Sequence, residues 1–231
     1  MKIDIISESN VILNNLQEND RIAQYLDPLP IPRPYTGNGL IKLIILGQDP
    51  TVKNAESRMN IYQVLNLDKE AGALYKYLDN ICKALELDLK ENVYATNVIK
   101  NFFTEPPTVI YESTGIDVLQ ESAPLWLPLL QQEIDQLPNI PIISLGEPIL
   151  NVLVKNGSPL MKTYWGYTEI WQNGHLKGFS KIAAEKSVIH RPIFPVVHQP
   201  AKNILFYKYV TPLYINYVRN SINLYGPNFN D

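Results

Sequence analysis

Three polar segments, each directly after a short apolar run, hold side chains capable of chemistry. Gly47-Gln48-Asp49-Pro50 follows residues 42–46. Asn97 follows residues 93–96, within Val93-Tyr94-Ala95-Thr96-Asn97-Val98-Ile99-Lys100. His198-Gln199-Pro200-Ala201-Lys202-Asn203 follows residues 193–197. A carboxylate can hold or deprotonate a water, and an imidazole can move a proton or stabilise an anion. A primary amide both donates and accepts hydrogen bonds. Each residue also has a plainer reading: Asp49 before Pro50 can open a turn or cap a helix, Asn97 can end a strand, and His198 can sit satisfied in a core. What favours chemistry is their coincidence, because all three leave strands at the same end.

The runs 42–46, 93–96, 141–145 and 193–197 have the length of strands, three of them are rich in Ile and Val, and none alternates as a half-wet sheet would. Helical spacing lies between them. Leu74, Tyr77, Leu78, Ile81 and Leu85 recur over 72–85; Leu129, Leu130, Ile134 and Leu137 follow Pro128, which suits a first-turn position; 148–154 forms a short helix. Thr211-Pro212 looks like an N-cap and first turn, with Leu213, Tyr214, Tyr217 and Val218 on one stripe beyond it. Strand and helix alternating four times predict a single α/β domain over residues 1–231, a three-layer α/β/α sandwich around a central four-stranded parallel sheet. In such sheets ligands bind beyond the carboxyl ends of the strands, where Asp49, Asn97, Gly146-Glu147 and His198 fall. The segment 158–191, rich in Gly, Trp and Tyr, is expected to carry a hairpin or helix of its own.

With 45% hydrophobic and 19% charged residues, the composition is that of an ordinary globular chain, and no run is long enough for a signal peptide or spanning helix, so a cytoplasmic location is expected. The single cysteine, Cys82, excludes an internal disulfide and a four-cysteine metal cluster, and its helical pattern suggests a buried apolar role. His175, His190 and His198 are far apart without clustered acids, so no metal and no cofactor are expected. The net charge of −3 is unevenly spread: residues 101–154 hold seven acids and no Lys or Arg, leaving 20 bases against 16 acids elsewhere. The plain reading is a solvated surface. The sharper one is a two-sided molecule, with Lys162, Lys177, Lys181, Lys186 and Arg191 of 158–191 on the side tolerant of polyanions.

GQDP after an apolar strand, VYATNVIK followed by Pro106-Pro107, the strand Ile142-Ile143-Ser144-Leu145-Gly146-Glu147 and VVHQPAKN resemble, in order and spacing over about residues 42–203, motifs of the uracil-DNA glycosylase superfamily. The resemblance implies a monomeric hydrolase of the N-glycosidic bond of uracil or a related damaged base in DNA, acting on a base flipped out of the stack. It implies that Asp49 positions the attacking water and stabilises the sugar cation. His198, with backbone N–H groups near Gln48, would stabilise the leaving base. Asn97 and Gln48 would read the base edge, and Tyr62, thirteen residues after Asp49, would stack on it. Pro50, Thr51, Gln199, Pro200, Lys202 and Asn203 would contact DNA.

The departures from the family pattern are specific. Thr51-Val52 replace the Tyr-His that follows GQDP and excludes thymine, the iron–sulfur cysteines are missing, Pro200 stands for a serine, and Lys202 stands for the apolar wedge. They motivate a second expectation, a catalytically silent member binding nucleic acid or a free nucleobase in the same crevice, and a third, a hydrolase of small nucleosides or nucleotides.

Overall fold

The computed structural model describes residues 4–166, 178–199 and 205–225. Its strands are β1 (Leu26–Asp27), β2 (Tyr35–Thr36), β3 (Leu43–Gly47), β4 (Val93–Asn97), β5 (Phe102–Phe103), β6 (Ile142–Leu145) and β7 (Ile193–Val196). Its helices are α1 (Ile5–Gln17), α2 (Ala55–Arg58), α3 (Ala73–Ala84), α4 (Leu89–Asn92), α5 (Pro107–Thr114), α6 (Val118–Asp135), α7 (Leu150–Leu153), α8 (Met161–Tyr164) and α9 (Leu205–Tyr225).

The four strands read from the sequence are present within a residue of their expected ends, and every residue of β3, β4, β6 and β7 is buried. Continuous burial explains the absence of alternation, since both faces of the sheet are covered. The sheet has five strands rather than four, in the order β2-β4-β3-β6-β7: four are parallel, and β2 adds an antiparallel edge through Tyr35 opposite Ala95 and Thr36 opposite Tyr94. Two residues beside Pro34 are too short to carry a periodic signal, so β2 was not predictable from pattern. At the other edge, Pro195 sits within β7, where a missing N–H is tolerated; its carbonyl accepts the buried Trp165 indole N–H at 2.8 Å.

The chain moves from β3 outward to β4, then back across β3 to β6. Right-handed crossovers in opposite lateral directions put α3 and α6 on opposite faces. Accordingly, α3 packs with α9, and α6 with α1. The reversal also creates a topological switch point between β3 and β6, the place where an open α/β sheet forms its ligand crevice.

Two helices differ from expectation. α6 begins at Val118, ten residues before Pro128, behind the N-cap Asp117, whose carboxylate accepts the Leu119 and Gln120 amides at 3.1 Å, so Pro124 and Pro128 both lie inside it. Each proline removes an intrahelical bond. Burial of Trp126, Leu129, Leu130 and Ile134 on the inward stripe holds the helix together. α9 likewise runs through Thr211-Pro212, and the Thr211 hydroxyl donates back to the Tyr207 carbonyl one turn earlier instead of capping. Cys82 is fully buried, and burial pushes its thiol up to about 12. Among the described residues, no helix is long and apolar enough to cross a membrane.

Candidate functional site

Parallel pairing sets Gly47, the last residue of β3, opposite Asn97, the last of β4. The pairing continues past the strand ends, because the Val98 and Ile99 amides donate to the Gly47 and Gln48 carbonyls at 2.9 Å. Gln48 and Asp49 are thereby clamped beside Asn97. One oxygen of Asp49 accepts the Gln48 side-chain amide at 2.8 Å, and the other accepts the Thr51 N–H at 2.9 Å. Burial raises the Asp49 pKa above the ordinary carboxylate value, against the hydrogen bonds from Thr51 and Gln48, which favour the ionised form.

Asn97 is 1% exposed, and its Oδ1 is buried without a hydrogen-bond partner in the protein. That oxygen lies over Gly47: a Cβ placed there would meet Asn97 Oδ1 at 2.2 Å and Leu65 Cδ2 at 2.9 Å. Only glycine leaves room for the amide. Leu65 closes the same spot from above, held in a left-handed conformation (φ 59°) that leucine rarely adopts, and Asn66 follows at φ 53°.

The loop carrying Asp49 is fastened on its far side. The Thr51 hydroxyl accepts the Phe103 N–H at 2.8 Å. The buried Arg58 guanidinium donates to the Phe103 and Thr104 carbonyls and lies 3.2 Å from the Asp27 carboxylate. Beneath the site, the Lys100 ammonium donates to Thr96 Oγ1 at 2.8 Å, to the Asn97 carbonyl at 3.3 Å and to Glu133 Oε2 at 2.6 Å, while the Tyr94 hydroxyl donates to Glu133 Oε1 at 2.6 Å. Lys100 and Glu133 are both buried, so this network pins the end of β4 to α6.

The opposite wall of the crevice comes from β6 and β7. Gly146, at φ 90°, donates its N–H to the Val196 carbonyl at 2.7 Å, and a Cβ on it would lie 3.6 Å from His198 Cβ. Tyr77 of α3 donates its hydroxyl to the Val197 carbonyl at 2.7 Å, fixing the turn into His198. The His198 side chain opens to solvent at the mouth, with Gln199 half-buried beside it; desolvation by the surrounding protein lowers the His198 pKa from the ordinary imidazole value.

Asp49, Gln48 and Asn97 therefore share one wall, and His198 stands on the other, across the switch point. Tyr62 does not join them: it is 67% exposed and faces a neighbouring cavity, and Leu65 occupies the position beside Gly47 and Asn97. Pro50 is buried, and the half-buried Thr51 gives its N–H to Asp49 and accepts the Phe103 N–H on its hydroxyl. Pro200, Lys202 and Asn203 lie outside the described residues, as does Lys177. Arg191, counted among the bases of 158–191, is buried and donates to the Ile134, Pro138 and Ile140 carbonyls, so it contributes no surface charge there. Leu65, Lys100 and Glu133 were not anticipated. Lys100 stood within a quoted motif, but nothing in its spacing revealed a partner in α6.

Among the described residues, no group of three or more His, Cys, Asp or Glu is placed to hold a metal ion. Compared with known proteins, the chain matches no protein-family model and no curated sequence.

Proposed function

We propose that the chain is a DNA N-glycosylase of the uracil-DNA glycosylase type, hydrolysing the bond between deoxyribose and uracil or a related damaged base. The observation that carries this reading is the unpartnered, buried Asn97 Oδ1 seated over Gly47, two residues before Asp49, at the ends of paired strands. The order β4-β3-β6-β7 of the parallel strands supports the uracil-DNA glycosylase-like arrangement as part of the proposal.

In the reaction, a water held by ionised Asp49 attacks the anomeric carbon as the C–N bond breaks, and its proton passes to the carboxylate. The base departs as an anion whose oxygen accepts a hydrogen bond from the His198 ring. The lowered pKa of His198 makes it a neutral donor at physiological pH. Asn97 Oδ1 accepts an N–H from the base edge, which satisfies an acceptor that the protein leaves bare. Leu65 must yield for the base to reach it.

The test is incubation with a uracil-containing single strand and a U:G duplex, followed by alkaline cleavage of abasic sites. His198→Ala should slow product formation by about 10²–10³-fold, the usual effect of losing one donor to a developing anion. Asp49→Asn should slow it at least as much. Cleavage surviving both changes would sink the assignment. A second reading, silent binding of nucleic acid or a nucleobase, is favoured by the engagement of both Asp49 oxygens by Gln48 and Thr51. It predicts strand binding with no cleavage of any uracil, hypoxanthine or alkylated-base substrate.

A further inference from the structure

Two cavities flank the crevice, each bordered by a tyrosine that the protein leaves open. One, of about 740 Å³, is lined by Val52, Asn54, Asn60, Tyr62, Leu65 and Asn66 among others. The other, of about 400 Å³, is lined by Tyr111, Glu112, Asp117, Glu147 and Leu160 among others. Tyr62 is 67% and Tyr111 57% exposed. Both volumes suit a ligand the size of a nucleobase.

Charge separates the two. The Tyr111 cavity presents three carboxylates, all from the stretch without Lys or Arg. The Tyr62 cavity presents one carboxylate, Asp68, with Lys69 beside it. Lys53 falls between Val52 and Asn54 of its wall, and Arg33 is hydrogen-bonded through its backbone to the Tyr62 carbonyl and the Val64 amide. Both bases are exposed. Two exposed bases thus stand on segments that border an open aromatic ring, and basic side chains beside such a ring are the combination that tracks a phosphate backbone while a base stacks.

The Tyr62 cavity also adjoins the crevice, with Leu65 between them. Leu65 lines the cavity on one side and packs over Gly47 and Asn97 on the other, and Val52 stands three residues beyond Asp49. Behind the cavity wall, Asn66 Oδ1 is buried without a protein partner, whereas Asn54 Oδ1 accepts the Ser57 N–H and Asn60 donates its amide to the Glu56 carbonyl. Rotation of the Asn66 side chain toward the cavity would let a base bearing an exocyclic amino group satisfy it.

We infer that the Tyr62 cavity is a subsite for an unpaired nucleobase flanking the one that enters the crevice, so that the ligand is a single-stranded polynucleotide. The inference rests on the glycosylase reading for the position of that strand, but its test does not use excision. In a paired duplex the flanking base is stacked and its edge occupied, so it cannot fill the subsite.

The experiment is fluorescence anisotropy of a labelled short oligodeoxyadenosine strand, which contains no uracil, with the full chain at low salt. Binding should weaken as salt rises. Tyr62→Ala should weaken it about tenfold, as loss of a stacking ring does. Lys53→Glu with Arg33→Glu should flatten the salt dependence, and Tyr111→Ala should leave binding unchanged. Both tyrosines are open to solvent, and unchanged thermal unfolding of the variants verifies that the fold is kept. Equal effects of Tyr62→Ala and Tyr111→Ala would overturn the inference. So would duplex binding lost in parallel on Tyr62→Ala, or displacement of the strand by deoxyadenosine monophosphate at strand-like concentrations. Because the strand holds no target base, Tyr62-dependent binding without uracil excision would uphold the subsite and sink the glycosylase reading. Excision without Tyr62-dependent binding would do the reverse.

Discussion

In the proposed reaction Asp49 trades stability for chemistry. Its folded pKa is raised by burial, so the neutral acid is the form the fold accommodates best. Stability is complete while the group is protonated and declines as pH rises through the raised pKa, because the native state must then ionise a desolvated carboxylate. Asp49→Asn removes that cost. Thermal unfolding should find the variant equal to wild type at low pH and more stable by about 0.5–2 kcal/mol near neutrality, as is usual when a functional strain is relieved. A pH-independent difference would contradict the raised pKa. In the proposed reaction the ionised form holds the water, so the acid limb of wild-type excision should lie above the ordinary carboxylate range. Gly47 tests the neighbouring contact. Gly47→Ala drives a methyl to within 2.2 Å of Asn97 Oδ1, so excision and base binding should fall together about as far as with Asn97→Ala. Wild-type activity in Gly47→Ala would show that the Asn97 amide can move aside without consequence. The types of Asp49, Asn97 and His198 were legible because each is a polar residue at a strand end. Leu65 was not: a leucine in an apolar pattern reads as core, and a left-handed φ at a residue other than Gly or Asn leaves no trace in composition.

At the scale of elements, the four parallel strands were legible because burial on both faces writes continuous apolar runs, whereas the helix boundaries at Pro128 and Pro212 were misread because packing overrides the local cost of proline. What joins the elements was hidden. Lys100 follows β4 and Glu133 lies in the last turn of α6, and their ammonium–carboxylate contact at 2.6 Å is buried. Removing one partner strands the other charge in a low-dielectric interior. Glu133→Ala should therefore cost about 3–5 kcal/mol in chemical denaturation. Replacing both, as in Lys100→Met with Glu133→Leu, should recover most of that loss. The pair also fixes the Asn97 carbonyl, so the double variant should keep its stability yet show weaker base binding. Full binding in the double variant would reduce the pair to a purely structural role.

Across the whole molecule, charge is less divided than the sequence suggests. Of the seven acids in the base-free stretch, Glu133 is paired with Lys100, Glu121 with Arg21 at 2.8 Å, Asp117 caps α6, and Glu147 accepts the Met161 N–H at 2.7 Å. Composition counts all seven as one repulsive face, while the fold pairs Glu133 and Glu121 with bases and leaves Asp117 and Glu147 charged at the Tyr111 cavity. The sheet order divides the crevice more sharply than charge does, giving Asp49 and Asn97 to one wall and His198 to the other. The β3–β6 pairing joins the two walls along the sheet, and beyond the strand ends the Tyr77 hydroxyl adds a tie: from α3, which follows the Asp49 loop, it reaches the Val197 carbonyl 120 residues away in the chain. Tyr77→Phe keeps the ring and deletes that bond, at a cost of about 1 kcal/mol. Tyr35→Phe is the matched control, because the Tyr35 hydroxyl donates to the Leu89 carbonyl at the opposite end of the sheet. The two variants should unfold at similar denaturant concentrations. Only Tyr77→Phe should lower kcat with KM unchanged, since a loosened His198 meets the departing base less often while Asn97 still reads the bound one. Equal kcat in the two variants would mean that the walls keep their spacing without this tie.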